Sequence, residues 1–162
     1  MHVNEVLDLA ERMEEGLSEC YGSLAKLAKS DELRRGLERL AQEEIDHRNI
    51  IRTGRNYLFQ APEAFAQPAM RAEDLQEGLD RCRGLLERLE REKTTLNSAL
   101  GDVFRLESIY EKVHLSTCLE INDEGLRKLF QALSQGDAEH RRSLEELVAR
   151  FAPDAIPLTS DP

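Results

Sequence analysis

Tryptophan, long apolar runs and paired cysteines are all missing from this chain of 162 residues. Without a run of about 18 apolar residues, no segment is expected to span a bilayer. The three cysteines, Cys20, Cys82 and Cys118, form no Cys-x-x-Cys pair, which excludes a rubredoxin-type or zinc-ribbon site and gives no disulfide framework. The N-terminal segment turns acidic too early for a secretory signal, so a reducing cytoplasm is the expected location.

Positive charge is also scarce. Lys and Arg together number 22 against 32 Asp and Glu, which gives a formal net charge of -10. A chain this acidic lacks the basic surface that attracts phosphate groups, so neither nucleic acid nor an anionic membrane is an expected partner.

Proline occurs only at positions 62, 68, 153, 157 and 162, so residues 1–61 and 69–152 contain none. Both proline-free stretches are rich in Leu, Glu, Arg and Ala, which favour helices. Apolar residues recur along them at spacings of three and four, which is typical of helices with one buried face. The sequence therefore predicts an all-α protein.

The chain has an internal repeat. A shift of 93 residues superposes the two halves without a gap, and it matches identical residues such as Leu7 with Leu100, Glu14 with Glu107 and His47 with His140. Each half is then a helical hairpin, and two hairpins joined by a long crossover form a four-helix bundle of ferritin-like topology. The predicted organisation is one domain (1–162) made of hairpin one (4–59), a crossover with an extra helix (60–96), hairpin two (97–152) and a tail (153–162).

The extra helix is predicted at about residues 73–93. Its apolar stripe consists of Leu75, Leu79, Cys82, Leu86 and Leu89. An exposed apolar face of this size requires cover, from the bundle itself or from a second chain, and on this ground we expect a homodimer.

Polar residues interrupt the buried stripe of each of the four long helices. In core register are Glu14, Tyr21, Glu44, His47, Glu107, Tyr110, His114, Asp137 and His140. One carboxylate per helix therefore points inward, and an uncompensated buried charge is very costly. An internal salt-bridge network would require Arg or Lys in the same stripes, which contain neither, and protonated acids would require four raised pKa values. Two divalent cations would neutralise all four carboxylates.

The spacing of these residues favours the metal interpretation. Glu44-x-x-His47 and Asp137-x-x-His140 each place a carboxylate and an imidazole on one helix face, and Glu14 and Glu107 lie at the matching height of the other two helices. This is the pattern of a dinuclear centre in a four-helix bundle. Five neighbouring acids fall outside the stripes and are expected on solvated faces: Glu15, Glu43, Asp46, Glu111 and Glu139.

With these motifs the chain resembles the rubrerythrin-like branch of the ferritin-like di-iron superfamily over residues 4–56 and 97–149. The resemblance implies two iron ions that react with O₂ or H₂O₂. It also implies terminal carboxylates at Glu14 and Glu107, bridging carboxylates at Glu44 and Asp137, and one histidine per metal. It further implies that Tyr21, and His114 at the equivalent repeat position, hydrogen-bond to ligand carboxylates, and Tyr110 is also expected next to the ligands.

The chain also departs from that family. It has no pair of Cys-x-x-Cys motifs like those of a rubredoxin domain, so a separate electron donor is expected. Tyr110 stands where rubrerythrin has an additional carboxylate, which leaves a six-residue set closer to that of bacterioferritin. Asp137 replaces the usual Glu and reaches about one methylene less far. The sequence leaves three functions open: a ferroxidase or peroxidase, an iron-storage or iron-handling subunit, and a non-catalytic module that holds Fe, Mn or Zn.

Overall fold

A computed structural model gives the fold of the protein. It describes residues 3–65, 72–111 and 121–155, without the side chains of 109–111. In these ranges the chain forms the α-helices α1 (Val3–Leu27), α2 (Asp31–Leu58), α3 (Ala72–Glu90), α4 (Leu96–Glu111) and α5 (Glu124–Phe151). Two short 3-10 turns, Pro62–Ala64 and Pro153–Ala155, and one isolated bridge between Phe65 and Ile121 accompany them. The all-α prediction is confirmed.

Helices α1 and α2 form an antiparallel hairpin. The turn between them is fixed by Ser30, whose side chain accepts a hydrogen bond from the Leu33 amide and caps the start of α2. Ion pairs then join the two helices along their length: Arg48 with Glu15, Arg52 with Glu11, and Arg55 with Asp8. The partner on α1 moves towards the N-terminus as the partner on α2 moves towards the C-terminus, which is the pattern of antiparallel helices.

Four of the helices enclose a common core. Helix α1 packs on α2, α2 on α5, α5 on α4, and α4 on α1, which closes a ring. Helices α2 and α5 are antiparallel, since the N-terminal Gly36 lies against Leu147 and Gly54 lies against Phe130. No helix in the described part of the chain is long and apolar enough to cross a membrane.

Helix α3 lies outside this ring, against α1 and α4. Its buried residues are Leu75, Leu79, Cys82, Leu85 and Leu89. The predicted stripe contained Leu86 in place of Leu85. The chain therefore covers this apolar face itself, and the face no longer requires a second subunit. The homodimer stays an untested prediction.

The approach of α2 to α5 depends on a glycine. A Cβ atom at Gly54 would lie 2.6 Å from Cε2 of Phe130, a ring that is only 1% exposed and packs edge-on against Phe65. We expect Gly54→Ala to destabilise the fold by about 1–3 kcal/mol, because a rigid buried ring must move to admit the methyl group. The measurement is the free energy of unfolding in urea.

A matched control is Gly22→Ala in α1, where a Cβ would meet nothing within 4 Å. That variant is expected to gain about 0.5–1 kcal/mol from the lower helix cost of alanine. Equal stability of the two variants would show that the α2–α5 contact is looser than described.

Candidate metal centre

The six residues predicted as metal ligands come together inside the ring of four helices. Glu14 lies on α1, Glu44 and His47 on α2, Glu107 on α4, and Asp137 and His140 on α5. Four of them are buried, with relative exposures of 4% for Glu14, 1% for Glu44, 6% for His47 and 4% for His140. The side chains of Glu107 and Asp137 are each 16% exposed, so the cluster reaches the surface on their side.

Glu44 is the centre of the cluster. One ligand atom from each of Glu14, Glu44 and His47 lies within 4.8 Å of the others, and the same holds for Glu44, Glu107 and His140. The two carboxylate oxygens of Glu44 face different halves: Oε2 lies 3.4 Å from Nδ1 of His47, and Oε1 lies 3.0 Å from Nε2 of His140. Glu44 alone therefore belongs to both three-residue groups, as a bridging carboxylate would.

The spacings within each group suit a shared metal ion. Nδ1 of His47 lies 3.9 Å from Oε2 of Glu14, and Nε2 of His140 lies 3.3 Å from Oε1 of Glu107. Ligand atoms that each lie about 2.1 Å from one metal ion are about 3.0 Å apart at a right angle and about 3.4 Å apart in a tetrahedron. The distance from His140 to Glu107 lies within this range, and the distance from His47 to Glu14 is somewhat longer.

Asp137 lies in one half of the cluster, whereas Glu44, its counterpart in the repeat, faces both halves. Its Oδ1 lies 3.1 Å from Nδ1 of His47, which places it in the half that contains Glu14. It belongs to neither of the three-residue groups. The short Asp side chain thus reaches one imidazole, and a bridging role for it stays a prediction.

Tyr21 lies next to the cluster on α1. Its hydroxyl donates to Oε1 of Glu107 at 2.8 Å and lies 3.3 Å from Nε2 of His140. The tyrosine therefore holds a carboxylate from the opposite hairpin. The side chain of Tyr110 and all of His114 and Cys118 fall outside the described parts of the chain.

Sequence reasoning missed Glu43. We expected it on a solvated face, and that prediction is wrong: its side chain is 33% exposed, and its Oε2 lies 3.0 Å from Nδ1 of His140. An apolar stripe describes the faces of one helix alone, whereas this contact crosses from α2 to α5. Of the other four acids, Glu15, Asp46 and Glu139 are exposed as predicted, and the Glu111 side chain lies outside the described set.

The crowding of acids changes their protonation. Burial, and then the neighbouring Glu107 carboxylate, raises the pKa of Glu44 to about 7. Burial, and then the nearby Glu44 charge, raises the pKa of Glu14 well above its usual range. Burial would raise the pKa of Glu107, but the contacts with His140, Glu44 and Tyr21 together lower it.

Burial by itself would lower the pKa of His140, but that pKa moves upward because the surrounding carboxylates of Glu107, Glu43 and Glu44 favour the protonated ring. These shifts favour the protonated forms of Glu14, Glu44 and His140 while no metal ion is bound. Metal ions would replace these protons, since ligating carboxylates and imidazoles must give them up.

One buried atom supports the fit to a metal ion. Oε1 of Glu44 is inaccessible to solvent and makes no hydrogen bond to the described residues, although Nε2 of His140 lies 3.0 Å away. An orphaned buried carboxylate oxygen is costly, and a cation beside it would remove that cost. The donor set of carboxylates and imidazoles suits Fe, Mn and Zn.

Comparison of the chain with protein-family models, with curated proteins and with solved structures finds no match. The site must therefore be interpreted from its own geometry.

Proposed function

We propose that this protein is a ferritin-like dinuclear metal protein that binds two iron ions and oxidises them with O₂ or H₂O₂. The observation that carries the proposal is the position of Glu44, whose two oxygens face two separate carboxylate–histidine groups. A site of this form, with one carboxylate from each of two helices and carboxylate-x-x-His from each of the other two, is the di-iron arrangement of four-helix bundles.

The topology supports a ferritin-like assignment. The hairpin of α1 and α2 is followed by α3, which packs outside the ring of four helices, before α4 and α5 complete that ring. A long connection between two hairpins is the feature that separates this topology from a simple up-down bundle. The 93-residue repeat of the sequence supplies the second argument, since it relates the two hairpins.

The residues of the cluster would have different roles. Glu14 and His47 would hold one ion, Glu107 and His140 the other, and Glu44 both. Tyr21 keeps the Glu107 carboxylate oriented through its hydrogen bond. Bound iron would supply the one-electron redox chemistry that O₂ and peroxide require, and a separate electron donor would restore the reduced state. The partly exposed side of the cluster, at Glu107 and Asp137, is where small oxidants and ions would reach it.

A non-catalytic metal-binding protein is the second candidate. Each group offers three nitrogen or oxygen ligands, which is also how many a zinc ion takes from the protein when it keeps one open position. Manganese accepts the same donors. An iron-storage subunit remains a third use of the same site, and it would have to assemble into a hollow cage.

The test is metal content followed by turnover. Protein purified without chelator or histidine tag is expected to hold about two iron ions per chain by plasma mass spectrometry, or to take them up from anaerobic Fe(II). Addition of H₂O₂ or O₂ should then remove Fe(II), followed with a ferrous chelator, faster than in the same buffer without protein. Metal uptake without faster oxidation would favour the non-catalytic candidate, and no uptake of Fe, Mn or Zn would reject all three candidates.

A further inference from the structure

The two histidines of the cluster are supported differently. His140 presents Nε2 to Glu44 and Glu107, while its other nitrogen, Nδ1, lies 3.0 Å from Oε2 of Glu43. A carboxylate on the far nitrogen of a ligating imidazole fixes its tautomer and its orientation and increases its basicity. His140 is therefore held for ligation before any ion arrives.

His47 has no such support from the equivalent position. It presents Nδ1 to the cluster, and its Nε2 faces Gly136, where a Cβ atom would lie only 3.0 Å away. The 93-residue repeat places Gly136 where the other half has Glu43. The difference at this pair of repeat positions leaves the two histidines with unequal support.

We propose that the two metal positions differ in affinity, and that Glu43 makes the position formed by Glu44, Glu107 and His140 the tighter one. The inference rests on the proposed function, because it concerns the same centre. Glu43 acts as a positioning residue, since it contacts the ligand His140 and lies outside both three-residue groups.

Two further observations agree with this order. The contacts of His140 to Glu44 and Glu107, at 3.0 and 3.3 Å, are shorter than those of His47 to Glu44 and Glu14, at 3.4 and 3.9 Å. Tyr21 also fixes Glu107 by a hydrogen bond of 2.8 Å. The tighter half therefore needs less rearrangement to bind an ion.

One effect opposes this order. Asp137 lies 3.1 Å from His47 and adds negative charge to the other half, which favours a cation there. However, it stands outside the compact groups, whereas loss of an outer carboxylate such as Glu43 typically lowers metal affinity by about 10–100-fold. We therefore expect preorganisation at His140 to outweigh the extra charge at His47.

The experiment is a calorimetric titration of the metal-free protein with Mn(II), with free Mn(II) followed by electron paramagnetic resonance. The wild type should bind in two distinct steps. Glu43→Gln should weaken the first step about 10–100-fold while the second step stays unchanged. Glu38→Gln removes the same charge from an exposed position of α2 and should change neither step.

Histidine variants assign the steps to the two halves. His47→Ala should retain only the tight step, and His140→Ala only the weak one. The reverse assignment, or two wild-type steps that Glu43→Gln leaves unchanged, would overturn this inference and leave the dinuclear proposal intact. A wild type that binds neither Mn(II) nor Fe(II) would overturn both.

Discussion

Anaerobic Fe(II) is expected to raise the thermal midpoint of the metal-free protein by roughly 10–20 °C. An ion present at about 100 times its dissociation constant stabilises the folded state by about 2.7 kcal/mol, so two ions contribute about 5 kcal/mol. For a chain of this length each kcal/mol corresponds to roughly 2–4 °C. Without metal, the cluster keeps the carboxylates of Glu14 and Glu44 in contact with the low-dielectric core, so there is an electrostatic penalty to remove.

The measurement is differential scanning calorimetry of chelator-treated protein, with and without metal. Mn(II) and Zn(II) should also raise the midpoint, because they accept the same nitrogen and oxygen donors. Mg²⁺ is the control, since it prefers oxygen ligands, keeps its water and gains little from His47 and His140. Midpoints that do not move with any of the three transition metals would identify the cluster as a structural network of histidines and carboxylates.

Much of the helical framework could be predicted from proline placement and apolar spacing. Helices α2 and α5 end shortly before Pro62 and Pro153, and the core series of α1 and α2, from Leu7 to Ile51, is buried as predicted. The series in α5 drifts at its end, where Val148 is buried and Leu147 is only half-buried. Seven residues of a straight helix fall short of two full turns by about 20°. Over a long helix this difference adds up, so the buried position shifts by one residue.

The grouping of the six cluster residues could also be predicted, because helix periodicity and the internal repeat fix both face and height. Those two rules say nothing about contacts between one helix and another. Glu43 was missed for that reason. The repeat nevertheless shows a difference at this position, because it pairs Glu43 with Gly136 while the nearby ligands His47 and His140 are identical. Two halves of a duplicated site can differ at such a position, where one half has a charged residue and the other has a glycine close to a ligand that both halves share.

Buried Glu11 was missed in the same way. It is 6% exposed and pairs with Arg52 and Arg55 from α2, so its charge is balanced within the hairpin. Glu11 is paired with arginines. The described contacts of Glu44 with basic groups are instead to His47 and His140, both of which can ligate metal.

Glu44→Gln is expected to remove both metal ions, whereas Glu107→Gln should remove about one. Glu44 belongs to both three-residue groups and Glu107 to one, so the stoichiometry should fall in steps from two to one to none. The amide keeps the size and shape of the side chain but loses the charge. Metal per chain is measured by plasma mass spectrometry after anaerobic loading and desalting.

The same variant separates a metal site from a structural one through its stability without metal. The folded-state pKa of Glu44 is about 7 against an ordinary 4.5, so above pH 7 the ionised group opposes folding, and neutral glutamine removes that opposition. At pH 8 the metal-free Glu44→Gln chain should therefore be at least as stable as wild type, while the stabilisation by Fe(II) disappears. Asp46→Asn, at an exposed position two residues along α2, should keep both ions and the full metal effect. A Glu44→Gln protein that still holds two ions, or that unfolds more readily than wild type without metal, would contradict the bridging role and favour a structural role for the cluster.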